Sequence, residues 1–277
     1  MTETELYKKY IQTANGKIYY FTNDLKSNLP TVVLLHGLSA NHTTWSKTIK
    51  VLANNQFNCI APDLRGHGYS DKTKKPRLYS INNQANDLSF ILKQEKIKSY
   101  VLVGYSYGGL VALQQAIGAP EHLVGLVLAS SNHTSPARYK GLGWMNGLII
   151  ASYYLAAFLM LWQSKKEYYY YRPSRAKNYW QATWQGLQTM PASVNGWLLA
   201  KLLKADFREQ LGSIKVPTCL VYSRIDPFVT KQEIEDMAVK LPICQVVESE
   251  HDSHFIATDS QVELTGIILN FLKNSCA

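Results

Sequence analysis

Cysteine is scarce in this chain: four residues in 277, at Cys59, Cys219, Cys244 and Cys276, and no two of them make a CxxC pair. That spacing offers neither a disulfide framework nor a metal knuckle. Three of the four lie in or beside apolar, strand-like runs, so the expectation is buried thiols in a reducing compartment, with no metal and no cofactor. The chain also lacks internal repeats and low-complexity linkers, which leaves no room for a solenoid or two tethered domains. It carries a net charge of +9, but the lysines and arginines are scattered and form no long stripe. A basic soluble surface is therefore expected, and no nucleic-acid partner. The first five residues, Met1-Thr2-Glu3-Thr4-Glu5, are polar and acidic with no apolar segment behind them, so no secretory signal is read and a cytoplasmic location is expected.

What is present can build a large core. Hydrophobic residues make up 46% of the chain, enough for one α/β domain with an insertion. Residues 10–13 and 17–22 flank Asn15-Gly16, the dipeptide favoured in two-residue hairpin turns. Apolar runs at 31–35, 57–61, 100–103 and 123–129 then alternate with helical patterns near 43–54, 80–95 and 107–118, which implies right-handed crossovers and a mostly parallel sheet with helices on both faces. The alternation stops at about 132 and resumes near 215, with a strand over 217–222, a helix near 230–240, a strand at 243–247 and a last helix near 260–273. The expected organisation is a core of residues 1–131 and 215–277 and a helical cap over 132–214, inserted where it would cover the carboxyl ends of the strands.

Three glycine-rich segments follow strands. Gly104-Tyr105-Ser106-Tyr107-Gly108 comes after Tyr100-Val101-Leu102-Val103 and before a helical stretch. A serine at such a strand-to-helix turn is lifted above the sheet, small residues two places away avoid a clash, and the next N–H faces the substrate oxygen. His36-Gly37-Leu38-Ser39 ends the strand at 31–35, and Asp63-Leu64-Arg65-Gly66-His67-Gly68-Tyr69-Ser70 follows the one at 57–61. In this order the three motifs resemble the α/β-hydrolase fold family, over about residues 18–132 and 216–272.

The resemblance implies a catalytic triad in the order serine, acid, histidine. A serine hydroxyl is a poor nucleophile until a base takes its proton and an acid orients that base. Ser106 is the expected nucleophile. Asp226, in Ser223-Arg224-Ile225-Asp226-Pro227, resembles the family's acid loop with serine in place of glycine. Two histidines compete for the base, His251 and His254; the distance from His254-Phe255 to the apolar pair Phe271-Leu272 matches the family and favours His254. Backbone N–H groups of Leu38 and Tyr107 would form the oxyanion hole. Relatives of this fold that open haloalkanes or epoxides carry aspartate at the elbow, whereas a serine there forms an acyl-enzyme.

The cap bears on substrate. Residues 141–164 contain no charged side chain, long enough to span a bilayer, but one crossing would put Ser106 and His254 on opposite sides. The stretch is expected to pack inside the cap, line an acyl pocket or touch a membrane face; Tyr168 to Tyr171 beside Lys165, Lys166 and Arg172 would suit the last. His36, Gly37, Trp144, Phe158 and Phe228 are expected around the substrate, with His36 organising backbone there rather than moving a proton. The implied activity is hydrolysis of a lipophilic carboxylic ester, as a carboxylesterase or small lipase. Lactone, amide or carbon–carbon bond hydrolysis on the same triad is the alternative, and a hydrolase-like receptor is an option of another class.

Overall fold

Asn15-Gly16 turns the chain between β1 (Tyr7–Thr13) and β2 (Gly16–Thr22), which pair antiparallel. Gly16 has φ +116°, a conformation that side-chain-bearing residues rarely adopt. The computed structural model describes residues 7–118, 121–135, 141–161, 188 and 190–275.

After the hairpin come β3 (Thr31–Leu35), α1 (Ser46–Asn54), β4 (Cys59–Pro62), α2 (Ile81–Gln94), β5 (Tyr100–Tyr105), α3 (Tyr107–Ile117) and β6 (Leu123–Ala129). Among the described residues two helices, α4 (Asn146–Leu159) and α5 (Ala192–Leu202), stand between β6 and β7 (Thr218–Ser223), followed by α6 (Lys231–Lys240), β8 (Cys244–Ser249), α7 (Ile256–Asp259) and α8 (Gln261–Ser275). The eight strands form one sheet in the order β1-β2-β4-β3-β5-β6-β7-β8, antiparallel as far as β4 and parallel from there on. The expected mostly parallel α/β architecture is thus the observed one. The run expected at 57–61 starts at Cys59 because the Phe57 N–H is used by the Leu52 carbonyl, at 3.0 Å, to close the end of α1.

Alternation along each strand sends successive side chains to opposite faces. On one face Val33, Leu35 and Leu102 meet Leu88 and Ile91 of α2, Leu110 and Leu113 of α3, and Ile234 and Met237 of α6. On the other, Val32, Leu34, Val101 and Val103 meet Ile49 and Leu52 of α1 and Leu264, Ile268 and Phe271 of α8. Both faces are covered, which is why the central strands are apolar throughout. The segment between β6 and β7 joins the first of these layers through Ala157, Met190, Val194, Trp197 and Leu198, and Trp197 stacks on Tyr79 with ring centroids 5.6 Å apart. Among the described residues no helix is long and apolar enough to cross a membrane.

Candidate active site

The turn from β5 into α3 is as tight as its glycines allow. Ser106 sits at φ +50°, ψ −115°, a strained backbone for a residue with a side chain. A Cβ at Gly104 would lie 2.5 Å from the Gly109 Cα, and one at Gly108 would strike the carbonyl oxygens of Leu35 and His36. Glycine at both positions therefore lets β5, α3 and the end of β3 approach closely enough to hold the serine up. The Ser106 N–H donates to Ala129 O at 2.9 Å, and Ser131 Oγ donates to Ser106 O at 2.9 Å. The elbow is fastened to the end of β6 from both sides.

Ser106 Oγ stands 2.9 Å from His254 Nε2, and His254 Nδ1 stands 2.8 Å from Asp226 Oδ2. Three residues from three loops, spread over 148 positions of chain, make one relay. Asp226 divides its oxygens: Oδ1 accepts the N–H groups of Phe228 and Val229 at 2.8 and 3.0 Å, an Asx-type turn, while Oδ2 faces the imidazole. The acid is thus locked by its own loop and the ring by the acid. His251 lies apart, more exposed, with Nε2 3.9 Å from Asp259 Oδ2.

The oxyanion candidates flank the serine. Tyr107 opens α3, so its N–H is one of the four that an α-helix leaves without an internal acceptor. Gly37 approaches the nucleophile so closely that a Cβ there would lie 3.0 Å from the Tyr105 ring and 3.5 Å from Ser106 Cβ, which brings the loop carrying Leu38 beside the serine. Phe228 packs edge-on against the His254 ring, with centroids 4.9 Å apart.

Other expected site residues are placed differently. His36 is not a ligand-facing residue: it is fully buried, its Nε2 accepts the Leu64 N–H at 3.0 Å, and its Nδ1 faces the Gly37 carbonyl at 2.8 Å. Burial lowers its pKa to about 4, so the ring is a neutral strut between the loops after β3 and β4. Trp144 and Phe158 stand exposed at the surface. The tetrad Tyr168 to Tyr171, with Lys165, Lys166 and Arg172, lies outside the described residues. Among the described residues no group of three histidine, cysteine or acidic side chains is placed to hold a metal ion.

The loop after β4 braces the site without entering it. Asp63 Oδ1 accepts from the N–H and Nδ1 of His42, both at 2.8 Å, and Oδ2 accepts from Tyr69 N at 2.8 Å. Arg65 is buried and forms a fork with Asp87 at 2.8 and 2.7 Å. Four positioning residues escaped sequence reasoning. Tyr105 Oη donates to His254 O at 3.1 Å, Ser223 Oγ donates to Ser253 O at 2.7 Å, Asn132 Nδ2 donates to Glu233 Oε1 at 3.1 Å, and Glu263 accepts from Ser249 Oγ and the Glu250 N–H at 2.9 and 2.7 Å. Each partner lies at least 13 positions away in sequence, beyond the reach of local pattern.

Comparison with known proteins agrees with this fold. The family model for the alpha/beta hydrolase fold matches residues 30–260. The chain is 27% identical to 3-oxoadipate enol-lactonase 1 of Acinetobacter baylyi, over 98% of this chain and 99% of the relative. It is 28% identical to the pimeloyl-[acyl-carrier protein] methyl ester esterase of Aeromonas hydrophila, over 81% and 88%. Among solved structures, an esterase from Exiguobacterium antarcticum superposes with a TM-score of 0.76 at 21% identity, covering 97% of this chain and all of that one.

Proposed function

Because the chain belongs to the α/β-hydrolase fold family, we propose that this hydrolase cleaves a lipophilic carboxylic ester through an acyl-enzyme on Ser106. The observation that carries the reading is the relay Ser106 Oγ, His254, Asp226, at 2.9 and 2.8 Å. In the first half-reaction His254 Nε2 takes the hydroxyl proton as Ser106 Oγ adds to the ester carbonyl, and Asp226 stabilises the imidazolium that forms. The oxyanion is held by the N–H groups of Leu38 and Tyr107, each worth roughly 3 kcal/mol in the transition state. His254 then protonates the departing alkoxide. Water, deprotonated by the same ring, releases the acid and restores the serine.

Three features support an apolar acyl side. Phe228 walls the His254 ring, Leu38 packs against the core, and Met190 Sδ lies 4.0 Å from Ser39 Oγ on the loop beside the nucleophile. The helices between β6 and β7 act as the cap in this reading. A lactone is an internal ester and uses the same relay; similarity to an enol-lactonase over nearly the whole chain favours it as the second reading.

Intact-mass analysis after mixing with p-nitrophenyl butyrate tests the proposal. An added butyryl group on the wild type, absent from Ser106→Ala, is the expected result. Turnover without any Ser106-dependent adduct or rate refutes it.

A further inference from the structure

Helix α4 presents the wrong side to water. Gly147, Leu148, Ala151, Ser152, Leu155, Ala156, Phe158 and Leu159 are its exposed residues, and at 100° per residue they fall in one arc of about 180°. Leu148, Leu155, Phe158 and Leu159 are 70%, 61%, 67% and 62% exposed, and Trp144, just ahead of the helix, is 79% exposed. The opposite side is the packed one: Ala157 is buried, and α5 approaches so closely that a Cβ at Gly196 would lie 3.0 Å from Tyr153 O and 3.1 Å from Ala157 Cβ. A helix in water carries its charged residues on the outward arc. This one carries none there.

Charge supplies the second observation and names the occupant. Residues 132–205 contain nine lysines and arginines and a single acid, Glu167, so this stretch holds eight of the chain's nine net positive charges. Part of that charge sits at α4 itself: Lys201 Nζ and Lys204 Nζ each lie 5.9 Å from the Tyr154 ring centroid, and Tyr154 borders the exposed arc. An uncharged apolar arc flanked by ammonium groups matches an interface with acyl chains below and anionic headgroups above. At 14 residues, or roughly 21 Å, the helix would lie flat in that interface and not cross it.

We infer that α4 and the basic residues beside it form a docking face for anionic phospholipid membranes, making the protein a peripheral one. The face acts independently of the triad, and Ser106→Ala protein docks like the wild type; failure of the hydrolase reading leaves this test intact.

Flotation with vesicles of phosphatidylcholine and phosphatidylglycerol in equal amounts tests it. The expected result is co-flotation that weakens as salt rises from about 0.1 to about 0.5 M, where screening shortens to a few ångströms. Leu148→Asp with Leu155→Asp should lower partitioning by at least about tenfold while leaving the melting temperature and the rate on a soluble short-chain ester unchanged. Lys201→Glu with Lys204→Glu should lower it on the anionic vesicles without touching the apolar arc. No flotation, equal flotation on phosphatidylcholine alone, or wild-type-like flotation of the leucine variant overturns the inference. So does a fall in melting temperature of that variant, which would mean that the arc packs within the fold, or a wild-type dimer that the variant dissolves, which would make the face a contact between copies.

Discussion

The Tyr105 hydroxyl donates to the main-chain carbonyl of His254 at 3.1 Å, joining the residue before Ser106 to the residue whose Nε2 faces the Ser106 hydroxyl. The bond ties the end of β5 to the loop after β8. Tyr105→Phe removes that bond alone. We expect kcat to fall about fivefold, the equivalent of one neutral hydrogen bond, with KM nearly unchanged. A drop confined to KM would show that Tyr105 acts on binding.

Ser106→Ala and His254→Ala should each lower kcat by at least a thousandfold, since the members of a triad act as a unit. His251→Ala should stay within about threefold of wild type, because its ring is separated from the relay and faces Asp259. The assay is steady-state hydrolysis of p-nitrophenyl butyrate by the three variants. A dead His251 variant with an active His254 variant would reverse the assignment.

Gly108→Ala should cost at least about 3 kcal/mol and most of the activity, because the new methyl group meets the carbonyls of Leu35 and His36, which are main-chain atoms that cannot swing aside. Urea midpoints read the first effect. Near-wild-type stability would mean that the elbow is looser than its contacts indicate.

Arg65→Ala should destabilise by about 3–5 kcal/mol, since it leaves the Asp87 carboxylate without its fork in a site that burial already pushes toward the protonated form. Arg65→Lys should recover only part of this, lacking the second donor. Thermal unfolding of the two variants distinguishes a bidentate need from a simple charge need.

Acid should weaken the fold between about pH 6.5 and 4. Burial holds the rings of His36 and His133 neutral down to about 4, and lowers the pKa of His67 well below its ordinary value. The unfolded chain takes up these protons near 6.5, so it binds more protons than the folded state throughout that window, and stability present above it is lost as pH falls. His36 alone contributes about 3 kcal/mol to the loss. Urea midpoints at pH 7 and pH 5 check the sign; a midpoint that rises on acidification would contradict it.

The sheet was largely legible because its central strands are short apolar runs, and that grammar is local: β3 and β6 fall where the runs at 31–35 and 123–129 put them. The elbow was legible for the same reason, since Gly104, Ser106 and Gly108 are neighbours in sequence. His254 and Asp226 were harder. His251 and His254 stand three residues apart beside acidic neighbours, and only resemblance separated them before the 2.9 Å contact to Ser106 did.

The sequence by itself determined the α/β class, the place of the serine and the order of chemical groups along the chain, because strand pattern, turn geometry and nucleophile type are properties of a few adjacent residues. Tertiary structure alone decided which distant groups meet. It chose the Leu64 N–H as the partner of His36, recruited Tyr105 and Glu263 to hold the histidine loop, and set the apolar arc of α4 outward. Hydrophobicity records that a residue avoids water but not which neighbour excludes it; for α4 the direction was fixed only when Gly196 allowed α5 to occupy its other side.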